Sequence, residues 1–409
     1  MHHDVVVTHP DQPPSDQAPT QEQAGSPPPA GAGRPRAARM RRRILLQATA
    51  LAVVLGLIIA AFTVPVDKVI EAPGPTWNVL ATGSSDSAGA GGAPQEDLLT
   101  VRGVETYPTE GELRMTTISL NGCPGYPVTT ADVLVALLSR DSAVLEREAV
   151  CPKEVTEEEI RATNQAAMTS SQDSAVVAAL NEVGMADHLS LQVGGIAPEQ
   201  TSSDLQQGDA LKALTPQGGQ RTEITSYTQL RDLMATIPAG TAVSLEIERE
   251  GQEATASLTT IESPGGTGSL LGVMIHFEVS PEVDVSFALS DVGGPSAGLM
   301  FALGIVDEIT PGALTGGQRI AGTGTIALDG TVGPIGGIRQ KMAGASQAGS
   351  DYFLAPADNC GEVVGHEPEG MEVYAVSTLH EGVETVRAIA AGKTSGLATC
   401  QNPNPVENR

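Results

Sequence analysis

The pattern of apolar and polar positions along the chain changes character three times. From Ile44 to Val64 it is unbroken, with 21 residues that carry no charge and one amide, Gln47. A run of that length crosses the hydrocarbon core of a bilayer as a helix. Arg34, Arg36, Arg39, Arg41, Arg42 and Arg43 stand on its N-terminal side. The positive-inside rule assigns that side to the cytoplasm and everything after Pro65 to the outside of the cell membrane. A cleaved signal peptide is the alternative. The run is long for one, and Ala60-Ala61-Phe62-Thr63-Val64 offers no clean Ala-x-Ala site. Ahead of the span, Pro, Gln, Ala and Gly dominate and large apolar side chains are nearly missing, so residues 1–43 read as a disordered cytoplasmic segment.

Beyond Pro65, period-two and helical patterns are mixed. Glu71-Ala72-Pro73-Gly74-Pro75-Thr76 is extended or turn-like, since each proline restricts its predecessor. Residues 81–97 form a Gly/Ser/Ala-rich loop. Leu113 to Leu120 alternates as a strand. Thr130 to Leu138 reads as a short helix capped by Thr129 or Thr130. Thr156 to Val183 is a longer helix, acidic at its start and ending before Gly184. Residues 65–185 are expected to pack with the segment that carries the chemistry.

Residues 186–262 form a separate small pattern. Strand-like Leu189 to Val193 is followed by Gly208-Asp209 turning into a strand at Ala210. A helix follows at Tyr227 to Thr236, and then a hairpin of Val243 to Arg249 with Ala254 to Thr260. This order resembles a PDZ domain. The resemblance implies binding of extended peptide ends by strand addition to a sheet edge. Val193-Gly194-Gly195-Ile196 is the candidate carboxylate-binding loop.

Residues 263–392 hold further strands at Leu271 to Val279 and Val283 to Ala288, and an apolar helix from Ser296 to Ile309. A hairpin of Ile320 to Leu328 with Val332 to Ile335 turns at Asp329-Gly330. A helix follows at Ile338 to Ala348, then strands at Tyr352 to Ala355 and Val373 to Val376, and a last helix capped by Gly392. Residues 393–409 are a polar tail. Without regular βαβ alternation the fold class is α+β.

Composition narrows the functions. A chain of 409 residues predicts two or three domains, with cores of Val, Leu, Ile and Ala because aromatics are only 3%. The net charge of −26 argues against nucleic acid and against docking on anionic lipid. Cys123, Cys151, Cys360 and Cys400 all fall on the predicted outside, where an even count suggests disulfides. Of three pairings, Cys123–Cys151 and Cys360–Cys400 are the local ones. The spacings fit no zinc site, and no metal or cofactor is expected.

The chemistry centres on Gly293-Gly294-Pro295-Ser296-Ala297-Gly298. Glycines permit conformations and close approach that side chains block, and Pro295 sets φ ahead of a helix start. Ser296 then meets free N–H groups and the positive end of a helix dipole, a suitable place for an acyl-transfer oxyanion. Gly293, Gly294, Pro295 and Ala297 are the oxyanion and turn candidates. Taken alone, the stretch reads better as a turn capping an apolar helix. Lys341 changes that, because a lysine with a pKa depressed by burial serves as the base for a serine nucleophile.

Gly-Pro-Ser-Ala-Gly at 294–298, Ala-Gly-Thr-Gly-Thr-Ile at 321–326 and Gly-x-Val-Gly-Pro-Ile-Gly-Gly-Ile-x-x-Lys at 330–341 together resemble the proteolytic domain of Lon-family Ser-Lys proteases. The layout is similar to membrane-anchored, PDZ-containing Lon-like proteins of bacteria. The resemblance implies Ser296 as nucleophile, Lys341 as general base and Thr323 as the residue that orients Lys341. It also implies a polypeptide substrate and a homo-oligomer, a hexamer in the family. Many Lon enzymes have Asp directly before Gly-Pro-Ser. Here that place is Gly293, with Asp291 two residues further back. Gly392-Lys393-Thr394 mimics the end of a P-loop, but Arg387 stands where its first glycine belongs, so no nucleotide is expected. The expected function is ATP-independent cleavage of exposed or unfolded polypeptide outside the cytoplasm, with the PDZ-like part binding substrate or regulating. Two rivals are a Ser-His-Asp hydrolase drawing on His188, His276, His366 or His380, and a catalytically silent peptide-binding scaffold.

Overall fold

A computed structural model describes residues 35–81, 97–123, 125–152, 155–185, 189–263, 268–279, 283–289 and 292–402. The expected disorder of residues 1–33, most of the 81–97 loop, His188, Asp291 and the end of the tail lie outside the described residues. The chain divides into two units, Met1–Ala60 and Ala61–Arg409.

Helix α1 spans Pro35–Thr63, and its Met40–Thr63 portion is apolar and long enough to cross a membrane. It starts nine residues earlier than the apolar run. Pro35 sits at its first position, where a missing N–H costs nothing, and the arginines that follow are good helix formers.

In chain order the second unit contains β1 (Lys68–Asn78), β2 (Leu99–Arg102), β3 (Glu112–Asn121), α2 (Thr130–Leu138), β4 (Ala143–Glu146), α3 (Arg147–Val150) and α4 (Glu157–Glu182). Then come β5 (Leu189–Ile196), β6 (Ala210–Pro216), β7 (Thr222–Glu223), α5 (Tyr227–Thr236), β8 (Ala242–Arg249) and β9 (Gln252–Thr259). They are followed by β10 (Ile261–Glu262), β11 (Ser269–Leu270), β12 (Val273–Val279) and β13 (Asp284–Phe287). The last stretch holds α6 (Gly298–Ile309), β14 (Arg319–Gly322), β15 (Thr325–Ile326), β16 (Val332–Gly333) and α7 (Ile338–Gln347), then β17 (Tyr352–Pro356), α8 (Cys360–Val363), β18 (Glu372–Val376) and α9 (Leu379–Ala390). The class is α+β. Thr129 and Thr156 close capping boxes with Asp132 and Glu159, fixing where α2 and α4 begin.

The larger sheet has six strands in the order β18-β17-β14-β3-β1-β4. β1 is antiparallel to β3 and β4, whereas β14 runs parallel to β3 and β17, and β17 parallel to β18. Two parallel crossovers, through α7 and through α8, therefore occur where the sequence pattern shows no βαβ alternation. The pleat sorts side chains between two faces. Ile320 and Leu354 join the core built by α6, while Ala321, Phe353 and Ala355 join Ile338 and Met342 of α7. Helix α6 is buried nearly all round, with Leu299, Met300, Phe301, Leu303 and Ile305 fully enclosed. Each such side chain contributes about 1.5–3 kcal/mol of burial.

The smaller sheet runs β12-β5-β6-β8-β9, with β7 beside β6. Two sequence expectations change here. Val273–Val279, assigned to the proteolytic segment, pairs antiparallel with β5 along its whole length. Val193-Gly194-Gly195-Ile196, expected as a loop, is strand. It lies inside β5, facing Met274 and His276 of β12. Helix α5 covers this end of the sheet, Tyr227 meeting Phe277 edge-on at 5.9 Å between ring centres.

Both disulfides are the local ones, Cys123–Cys151 and Cys360–Cys400. Gly392-Lys393 caps α9: Gly392 N–H donates to Ile389 O and Lys393 N–H to Ala388 O. This Schellman arrangement accounts for the sequence that mimics a P-loop.

Candidate active site

The site forms where β14 ends. The strand stops at Gly322, and Thr323-Gly324 breaks the long strand expected from Ile320 to Leu328 into β14 and the short β15. By the alternation of the pleat, Thr323 faces the same side as Ala321, toward α7, and it is fully buried. Lys341 lies one turn into α7 and reaches across from that side. Ser296 comes from the opposite layer, in the turn that leads into α6.

That turn is held from several directions. Gly294 adopts φ +90°, and its N–H donates to Asn164 O of α4 at 2.8 Å. A side chain at Gly293 would put Cβ 2.8 Å from Asn164 Cβ, so α4 packs this closely only against glycine. Ser171 Oγ donates to Pro295 O at 2.9 Å. Ser296 O accepts from Gly324 N–H at 2.9 Å and from Thr323 Oγ1 at 3.0 Å. Helix α6 starts at Gly298 with Ala297 as its cap, so Ser296 sits one residue ahead of the cap and not on the first helical turn. Among the oxyanion candidates, Gly294 spends its N–H on Asn164 and Pro295 has none. The N–H groups of Gly293 and Ala297 remain from that set, beside that of Ser296 itself.

Lys341 Nζ is 2.7 Å from Ser296 Oγ and 3.0 Å from Thr323 Oγ1. The Thr323 hydroxyl proton is used on Ser296 O, which leaves its oxygen to accept from the lysine. One Nζ–H is thereby fixed, and the amine's remaining capacity is turned toward Ser296. Lys341 is 2% exposed. Burial pushes its pKa down to about 8, and the Glu71 carboxylate opposes that shift. Glu71, on β1, is itself raised by burial, with Lys341 lowering it and Glu362 raising it.

A cavity of about 480 Å³ opens beside the pair. Trp77, Met115, Ile118, Leu120, Met168 and Val292 give it apolar walls, and Ser296 and Lys341 line it. β14 pairs with β3 only as far as Met115. Among the described residues no strand follows on that side, so the β3 edge from Thr117 onward borders the cavity unpaired. Among the described residues no histidine lines it. His380 Nδ1 is 2.9 Å from Glu182 Oε1 on the surface, His276 belongs to β12, and His366 lies in a turn after α8. The described residues contain no group of three or more metal-ligating side chains.

Sequence reasoning missed Glu71, Asn164 and Ser171. The available signal for Glu71 was an acid between Val69-Ile70 and Ala72, at an inward position of an apolar strand.

Residues 282–388 match the Lon protease (S16) C-terminal proteolytic domain. The chain is 41% identical over 93 residues to Lon protease 1 of Sorangium cellulosum, covering 22% of this chain and 11% of that protein. It is 27% identical over 183 residues to Lon protease 2 of Bacillus subtilis, covering 44% and 32%. It is 36% identical over 97 residues to the archaeal Lon protease of Archaeoglobus fulgidus, covering 23% and 15%. The chain thus spans between about a tenth and a third of the length of these relatives. A crystal structure of the PDZ domain of the SdrC-like protein from Listeria innocua aligns over 21% of this chain and 93% of its own, at 18% identity and a TM-score of 0.19. The segment that brings Ser296, Thr323 and Lys341 together is similar to the proteolytic domain of Lon-family serine proteases.

Proposed function

We propose that this chain is a membrane-anchored serine endopeptidase in which Ser296 is the nucleophile and neutral Lys341 its base. The observation that carries the reading is the 2.7 Å contact of Lys341 Nζ with Ser296 Oγ, made by a lysine whose pKa burial has pushed down to about 8. Ser296 Oγ attacks the peptide carbonyl as its proton passes to Nζ. The developing oxyanion is met by backbone N–H groups of the nucleophile turn. The lysine then gives the proton to the departing amine, and a water deprotonated by the now neutral Lys341 hydrolyses the acyl-enzyme. Thr323 acts as the positioning residue for Lys341.

The unpaired β3 edge suits an extended polypeptide, which would add as a strand and place an apolar side chain in the cavity. The substrate class is therefore exposed or unfolded segments. Cleavage uses no nucleotide, α1 crosses the cell membrane with its arginine side in the cytoplasm, and the smaller, PDZ-like sheet binds substrate or regulates.

The test uses the full chain in nucleotide-free buffer with a panel of unfolded proteins. Ser296→Ala and Lys341→Ala are each expected to abolish cleavage. Cleavage that survives Lys341→Ala but is lost on changing a histidine would sink the proposal, and binding without cleavage by the unaltered chain favours a scaffold.

A further inference from the structure

The second unit carries an apolar face that its own fold leaves uncovered. In α2, Val133 and Ala136 point inward onto Ile70, Val128 and Val144. Leu134, Val135, Leu137 and Leu138 point outward and are between 55% and 87% exposed. Tyr126, just ahead of the helix, is 94% exposed. Four aliphatic side chains clustered on nine residues is not the scattered apolar exposure normal for a water-facing surface; such patches mark a binding surface. Asp132, the one acid on the helix, is folded back onto Thr129 in the capping box, so no charge interrupts the face.

Chain continuity keeps this face close to the end of the apolar helix. Helix α1 ends at Thr63. Two residues later, Pro65 bridges Thr129, the residue that caps α2, and Val66 N–H donates to Val128 O at 2.9 Å. Two residues of extended chain span at most about 7 Å, and α2 is about 13 Å long. With the bridge between them, every part of α2 lies within roughly 25 Å of the point where the apolar helix ends. The Cys123–Cys151 disulfide closes the segment that contains α2, fixing it to the sheet near that point.

We propose that α2 is an interfacial element whose outward face rests in the headgroup region of the bilayer beside the anchor. Leu134, Val135, Leu137 and Leu138 are immersed, and Tyr126 sits at headgroup level, where aromatic side chains with a polar tip concentrate. The partner is a lipid surface, and a zwitterionic one suffices, since the face carries no basic cluster. This rests on reading α1 as a membrane span.

The experiment uses the full chain in phosphatidylcholine nanodiscs. The four native cysteines are disulfide-bonded, so single cysteines can be labelled with an environment-sensitive fluorophore at Leu137→Cys, at Leu55→Cys in the anchor and at Glu250→Cys in an exposed turn. All three positions are exposed in the fold, so none disrupts a core. Leu137 is expected to show blue-shifted emission, quenched several-fold more by lipids with a shallow spin label than Glu250, while Leu55 is quenched by deep labels. If Leu55 is quenched and Leu137 matches Glu250, α2 lies in water and the proposal is overturned while the anchor stands. If Leu137 is blue-shifted without lipid quenching, another protein surface covers it, and the proposal is equally overturned. If Leu55 is not quenched, the anchor reading falls and takes the proposal with it.

Discussion

Glu71 and Gly337 share a space that only a glycine leaves open. Gly337 adopts φ +70°, and a Cβ there would stand 2.6 Å from Glu71 Oε1 and 2.7 Å from Ile118 Cγ2. The residue that caps α7 is thus shaped around the carboxylate that acts on the lysine of that helix. Gly337→Ala is expected to lose about 1 kcal/mol to the left-handed backbone alone. It also displaces the carboxylate, so thermal unfolding and the pH–rate profile should both shift.

Removing the charge without the shape isolates the electrostatic part. Glu71 raises the Lys341 pKa against burial. Glu71→Gln should therefore lower it further and move the alkaline-rising limb of the pH–rate profile to lower pH. An unmoved limb would show that Glu71 does not act on the lysine.

Cleavage by the unaltered chain should rise with pH through about 8, as Lys341 loses its proton. The same burial has a stability signature. The folded lysine releases its proton near pH 8 and the unfolded one near 10.5. Between these values the unfolded chain binds more protons, so stability rises with pH across that window and the full penalty applies below it. Lys341→Met should abolish cleavage yet stabilise the fold at pH 7 by on the order of 1–3 kcal/mol, as read by denaturant titration.

Thr323→Val removes both the acceptor for Lys341 and a donor to Ser296 O. A misplaced base costs about 10²-fold in rate. Thr323→Ser keeps the hydroxyl and should restore most of the activity, while a purely packing role would predict the reverse, with valine tolerated.

Asp307 is fully buried on α6, where Leu314 N–H donates to it at 2.6 Å. Burial raises its pKa to about 6, opposed by that hydrogen bond. The folded chain holds this proton more tightly than the unfolded one, so the group lowers stability as pH climbs from about 4 past 6. Asp307→Asn keeps the acceptor and should flatten that part of the stability–pH curve in chemical denaturation.

The sequence made the nucleophile turn, the lysine helix and the helix caps legible because each rests on local chemistry: glycine and proline at a turn, Thr with Asp or Glu three residues on, an apolar run. The partners that complete the site were not legible. Glu71 lies 270 residues before Lys341 in sequence, and only the pairing of β1 with β3 brings it near. The placement of β12 failed for the same reason. Its alternating pattern marks a strand but cannot say which sheet it joins. The break at Thr323-Gly324 is a tertiary effect, since Gly324 is drawn out of the strand by its hydrogen bonds with Ser296 and Leu299.

The pairing of β5 with β12 puts Leu189 opposite Val279. The smaller sheet therefore begins and ends at neighbouring points, about 5 Å apart across one strand spacing. In chain order it is an insertion between α4 and β13, entered and left by adjacent strands. Such an insertion can be lengthened, shortened or replaced without changing the span between the flanking elements. Changes of length or sequence inside the insertion can then accumulate while Ser296, Thr323 and Lys341 stay where they are.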